Sequence, residues 1–147
     1  MIDAKEVTIS DSEWEVMRAI WTLKRVTSHE LIGLMDKARG WSESTTKTLL
    51  NRLIKKNAVQ KIGTGRPFSY APAVGEQDSM TAAATDLFDH MCAMQAGTTL
   101  ANVIESRDLS QDDIKNLQQI LAQKAKTAPE MVECNCLPKD VKQDCDC

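Results

Sequence analysis

At 147 residues the chain has room for one ordinary domain, or for a small domain of about 70 residues with an appendage. A hydrophobic share of 42% supports a packed core, and an aromatic share of 4% points to Leu, Ile, Met and Ala on helices. The start, Met1 to Glu6, has no basic patch leading into an apolar run, and no run of 18 apolar residues occurs. The expectation is a cytoplasmic protein without a membrane span.

The net charge of −3 divides unevenly: residues 1–72 carry +4, residues 73–133 carry −6 and residues 134–147 carry −1. A basic first half beside an acidic second half suits a chain of which one part meets phosphate.

The first helix is announced by Ser10-Asp11-Ser12-Glu13, a capping box flanked by Ile9 and Trp14 where a hydrophobic staple sits. Trp14, Met17, Ile20 and Trp21 continue it as one apolar stripe to about residue 22. A second box, Thr27-Ser28-His29-Glu30, opens a helix whose Leu31, Leu34, Met35 and Ala38 share a face, and Gly40 ends it. A third helix runs from near Ser42 to Lys56 with Thr46, Leu49, Leu50 and Leu53 inward, and Asn57 suits the left-handed position after it. The period then becomes alternating. Val59–Ile62 and Phe68–Ala71 form two short strands around the turn Gly63–Pro67. Three helices followed by a β-hairpin is the order of a winged helix-turn-helix.

After Pro72, Met80, Ala84, Leu87, Met91 and Met94 recur at alternating fours and threes, the seam of a helix that packs on another helix. Gly97 is expected to break this segment, with a short helix Thr98–Ser106 after it. Ser110 caps a last helix carrying Ile114, Leu117 and Leu121, and Pro129 starts a tail. The division is therefore a DNA-reading domain over 1–73, a helical segment over 74–128 and a cysteine-bearing tail over 129–147. The fold class is mainly α with a small β-hairpin.

In a helix-turn-helix the second helix of the pair enters the major groove, so its outer face must be polar and cationic. Opposite the leucine stripe of the third helix fall Ser44, Thr45, Lys47, Thr48 and Arg52, with Lys55 and Lys56 at its end. Hydroxyls can donate to phosphate or base edges, and Lys and Arg attract phosphate. The hairpin adds Arg66 at its tip and Lys61 on its flank. Each of these side chains taken singly also fits an ordinary solvated face; their combination on one winged-helix pattern favours DNA.

Four of the five cysteines, Cys134, Cys136, Cys145 and Cys147, lie in the last 14 residues as CxC…CxC with eight residues between the pairs. With no secretion signal and no core to staple, disulfides explain them less well than metal. Four thiolates without a neighbouring His form a soft set suited to Cu(I) or Zn(II), and close sulfur pairs suit bridging thiolates. So small a tail should gain order from the metal it binds. The fifth, Cys92, lies alone in a helical pattern and is expected to serve the core. His29 and His90 belong to no catalytic motif, so no enzyme is expected.

The runs ISDSEWEVMRAIW (9–21), WSESTTKTLLNRLIKKN (41–57) and GRPFSYAP (65–72) resemble the penicillinase-repressor (BlaI/MecI-like) family of winged-helix proteins. That family includes repressors of β-lactamase genes and copper-responsive CopY-type repressors. The resemblance implies a homodimer joined through the C-terminal helices on a palindromic double-stranded DNA operator. It also implies DNA-facing roles for Lys47, Thr48 and Arg52, with Ser44 and Thr45 beside them. The CxC pairs are similar to those of the CopY-type branch. That likeness implies Zn(II) in the repressing state, Cu(I) as inducer at the four tail cysteines, and a copper chaperone as a candidate donor. The spacer between the pairs is longer than is usual for the motif; doubling a flexible loop costs only about 0.6 kcal/mol. The alternatives are a β-lactam-responsive repressor, cut in that branch at an Asn-Phe bond where this chain has Asn102-Val103, and a metal-storage or chaperone protein.

Overall fold

The computed structural model describes residues 3–141. The chain divides into two compact units, Met1–Thr85 and Asp86–Cys147.

The first unit begins with a 3-10 turn, Ala4–Glu6, and helix α1, Asp11–Leu23. The capping box of α1 is formed: the Glu13 N–H donates to Ser10 Oγ and the Ser10 N–H donates to the Glu13 carboxylate. Strand β1, Val26–Thr27, leads into α2, Ser28–Arg39, where Thr27 and Glu30 form the second box. Gly40, at φ 66°, ends α2 in the left-handed conformation that a Cβ disfavours. Helix α3, Glu43–Lys55, is capped by Ser42, and Asn57 takes the expected left-handed turn at φ 62°. Strands β2, Val59–Ile62, and β3, Ser69–Pro72, follow.

The three strands make one antiparallel sheet in the order β1-β3-β2, with Val26 opposite Tyr70 and Val59 opposite Pro72. Strand β3 therefore runs one residue later than the alternation in the sequence suggests, because the ladder closes at Ile62 and Ser69. Strand β1 has no signature of its own; at two residues it is too short to alternate, and β3 supplies its pairing. This arrangement is a winged helix-turn-helix.

Val16, Met17 and Ile20 of α1 meet Leu31 and Met35 of α2 and Leu49, Leu50 and Leu53 of α3 in one core, closed by Val26, Val59 and Val74. The apolar stripe of α2 is narrower than expected: Leu34 is 39% exposed and Ala38 is exposed as well. Only Leu31 and Met35 of that helix reach the buried interior. Beyond β3 the chain remains tied to this core. The Trp21 indole N–H donates to the Val74 carbonyl at 2.9 Å, and Ser79 and Ala82 are buried.

Helix α4, Glu76–Asp89, carries the chain out of the first unit, and α5, Ala93–Ser106, and α6, Gln111–Ala125, belong to the second. The expected break at Gly97 does not occur. Gly97 lies within α5, where a glycine costs about 1 kcal/mol relative to alanine, too little to end a supported helix. The break comes at residues 90–92, where the N–H groups of His90 and Met91 turn back to the carbonyls of Leu87 and Phe88. Met91 and Met94 therefore do not extend the α4 seam. Helix α6 starts on a third formed capping box, Ser110 with Asp113. Neither α5 nor α6 holds a buried residue, and Leu100, Val103, Ile114, Ile120 and Leu121 are exposed. No helix among the described residues is long and apolar enough to cross a membrane.

Candidate nucleic-acid interface and metal centre

The helical period of α3 separates its two faces. Thr46, Leu49, Leu50 and Leu53 are buried, whereas Ser44, Thr45, Lys47, Thr48 and Arg52 are all exposed. The hydroxyls are partly engaged at home: Thr48 donates to the Ser44 carbonyl at 2.9 Å, and the Thr45 and Ser42 hydroxyls lie 3.0 Å apart. Lys47 pairs with Glu43 one turn earlier, and its hydrogen bond and charge hold the Glu43 carboxyl below the usual range. A surface pair of this kind is worth little and yields readily to phosphate. Arg66 is exposed in the hairpin turn. Lys61, expected on the wing flank, places its ammonium 3.5 Å from the Phe68 ring centre, a cation–π contact within the hairpin.

Lys56 departs from the expected cationic end of α3. Its ammonium turns inward and donates to the Glu13 carboxylate at 2.6 Å and to the Thr8 carbonyl at 2.8 Å. Glu13 is 2% exposed, so the carboxylate that caps α1 needs a counter-charge. Burial pushes the Glu13 carboxyl up. The Lys56 and Ser10 hydrogen bonds, with the positive charges of Lys56 and Arg52, outweigh it and leave the carboxyl below its ordinary value of 4.5.

In the second unit the thiols of Cys92, Cys134 and Cys136 lie within 4.8 Å of one another. The Cys92 and Cys134 sulfurs are 3.6 Å apart. Cys92 is not a core residue: it is half-buried and stands as the N-terminal cap of α5, with no side-chain capping bond of its own. The cap comes from the tail instead, where the Asn135 side-chain oxygen accepts from the Ala93 N–H at 2.9 Å. The Cys136 N–H donates to Cys134 Sγ at 3.5 Å. Two of the thiols depart from the ordinary value in opposite directions. Burial raises the Cys92 thiol, but hydrogen bonds with Cys136, the Met94 backbone, Cys134 and the Gln95 backbone bring it below 9.0. Hydrogen bonding to Cys134 and Cys92 pushes Cys136 up to about 12. Of the four expected tail ligands, Cys134 and Cys136 meet in this cluster, and Cys145 and Cys147 lie outside the described residues. Cys92 was not legible as their neighbour, because nothing local links residues 42 positions apart.

The donor set suits a soft ion. A metal–sulfur bond of about 2.3 Å places sulfurs about 3.8–4.0 Å apart in tetrahedral or trigonal sites, which the cluster can meet by small side-chain shifts.

Residues 9–123 match the penicillinase repressor family. The chain belongs to that family. It is thus a transcriptional repressor of a DNA-binding family and not of an enzyme class. It is 48% identical over 139 residues to an uncharacterized 16.5 kDa protein in the ptsI 3' region of Latilactobacillus sakei, covering 95% of this chain and 92% of that one. It is 32% identical to the methicillin resistance regulatory protein MecI of Staphylococcus aureus strain N315, over 84% of this chain and all of MecI. The solution structure of monomeric Bacillus licheniformis BlaI with the blaP half-operator aligns at 41% identity and a TM-score of 0.45, over 50% of this chain and 89% of that one. The family match ends at residue 123, so Cys134 and Cys136 lie beyond it and Cys92 within it.

Proposed function

We propose that this repressor is copper-responsive: it holds a palindromic operator as a homodimer and releases it when Cu(I) occupies its C-terminal cysteines. The observation that carries this reading is the gathering of tail thiols, Cys134 and Cys136, within 4.8 Å of a third thiol in the helical unit. Cys134, Cys136, Cys145 and Cys147 would hold Zn(II) in the repressing state and Cu(I) in the released one. A copper chaperone in the cytoplasm is a suitable donor. The thiolates supply soft, anionic ligands, and Asn135 fastens the first CxC pair to the start of α5.

On the DNA side, Ser44, Thr45, Lys47, Thr48 and Arg52 of α3 would face the major groove, with Arg66 of the wing on the adjacent backbone. A second copy of the chain is the natural cover for the exposed apolar residues of α5 and α6, and two readers match a two-fold operator. An effector shifts operator affinity only by its differential affinity for the two states, so Cu(I) must prefer the DNA-free form.

The test is an operator titration with Zn(II) and then Cu(I), on the wild type and on a variant with all four tail cysteines changed to Ser. Copper should release the wild type alone; release of both at one copper concentration removes the tail as sensor. A β-lactam-responsive role is the second reading, favoured by the name of the MecI relative. It would need cleavage near Asn102-Val103, which lies inside α5, and it leaves the thiol cluster without a purpose.

A further inference from the structure

We propose that Cys92 is itself a metal ligand, forming with Cys134 and Cys136 a three-thiolate site for Cu(I) that is anchored on the first turn of α5. This deepens the reading of the tail as a copper site, and rests on it, by making a dimerisation-helix residue part of the coordination.

Geometry carries the assignment. Three sulfurs within 4.8 Å of one another, with one pair at 3.6 Å, bracket the separation of about 4.0 Å that a trigonal site with bonds of about 2.3 Å requires. The tail is not laid there at random. Asn135, the residue between the two tail cysteines, caps the Ala93 N–H and so fixes the CNC run in register with Cys92. Both Cys92 and Cys134 are half-buried, and Cys136 is exposed, which leaves an entry path for the ion.

Three thiolates complete a Cu(I) site but leave Zn(II) one ligand short of its usual four. The trio therefore favours the inducer, and Zn(II) would need a further ligand. Filling the site clamps the tail to α5, the helix that exposes Leu100 and Val103. Copper occupancy is thereby read directly at the start of a helix whose apolar side awaits a partner.

The test uses the full chain under a phosphine reductant, which keeps disulfides from mimicking protection. The metal-free and Cu(I)-loaded proteins are alkylated with iodoacetamide, and each cysteine is followed by peptide mass spectrometry. Cys92 should become protected in step with Cys134 and Cys136, and bathocuproine disulfonate should restore its reactivity. In competition with that chelator, Cys92→Ser should hold Cu(I) about 10-fold or more weakly, since even outer partners of metal ligands are worth that much. Protection of Cys134 and Cys136 while Cys92 alkylates at its metal-free rate, with wild-type Cu(I) affinity in Cys92→Ser, overturns the assignment and leaves the tail reading standing. Failure of Cu(I) to protect any cysteine overturns both.

Discussion

The Lys56 ammonium lies 2.6 Å from the buried Glu13 carboxylate and so joins the first turn of α1 to the end of α3. Because the Glu13 carboxyl is held below 4.5 in the folded state, its contribution to stability is full above the unfolded value and is lost as pH falls through the folded one. Glu13→Gln should therefore flatten stability against pH below about 4.5, as urea unfolding across pH 3–7 would record. Lys56→Met strands the carboxylate and should cost about 3 kcal/mol at pH 7, a penalty that shrinks in acid. Where it remains folded, Lys56→Met should keep the wild-type salt slope of operator binding, since the Lys56 ammonium is engaged by Glu13 and Thr8.

Lys47 and Arg52 should behave in the opposite way. Both are exposed on α3, so Lys47→Ala or Arg52→Ala should leave thermal stability nearly unchanged and weaken operator binding. Each lost phosphate contact should lower the slope of log affinity against log salt by about 1. Fluorescence anisotropy at several salt concentrations decides it, and unaltered binding by both variants would remove α3 as the reader.

Gly97 offers a gain in stability. A Cβ built there meets nothing within 4 Å, and the residue is exposed inside a helix. Gly97→Ala should raise stability by about 0.5–1 kcal/mol, through reduced freedom of the unfolded chain. The check is the unfolding midpoint in a denaturant series at fixed protein concentration.

The limit of the winged-helix unit is also measurable. A fragment ending at Thr85 keeps Val74, Ser79 and Ala82 buried and retains the acceptor for Trp21; one ending at Ala73 loses all of these. The longer fragment should unfold cooperatively at a clearly higher midpoint than the shorter. Both should sediment as monomers, as expected if dimerisation belongs to α5 and α6.

What residues declare within a few positions of themselves was legible from the sequence. The capping boxes at Ser10 and Thr27, the Ser110 cap, the helix end at Gly40, the left-handed Asn57 and the buried stripe of α3 each depend on backbone groups no more than a turn or two away. The CxC pairs were visible for the same reason, as thiols adjacent in the chain. Tertiary structure decided what distant segments do to one another. It turned Lys56 inward to Glu13, 43 residues away, because a buried capping carboxylate demands a cation. It paired the two-residue β1 with β3, and it tied Val74 to Trp21 across 53 residues. It moved the helix break from Gly97 to residues 90–92, since the energetic penalty of one glycine is small beside a continuous hydrogen-bond ladder. That break is what frees Cys92 from a helical interior and brings it to Cys134 and Cys136, a meeting that no spacing along the chain encodes.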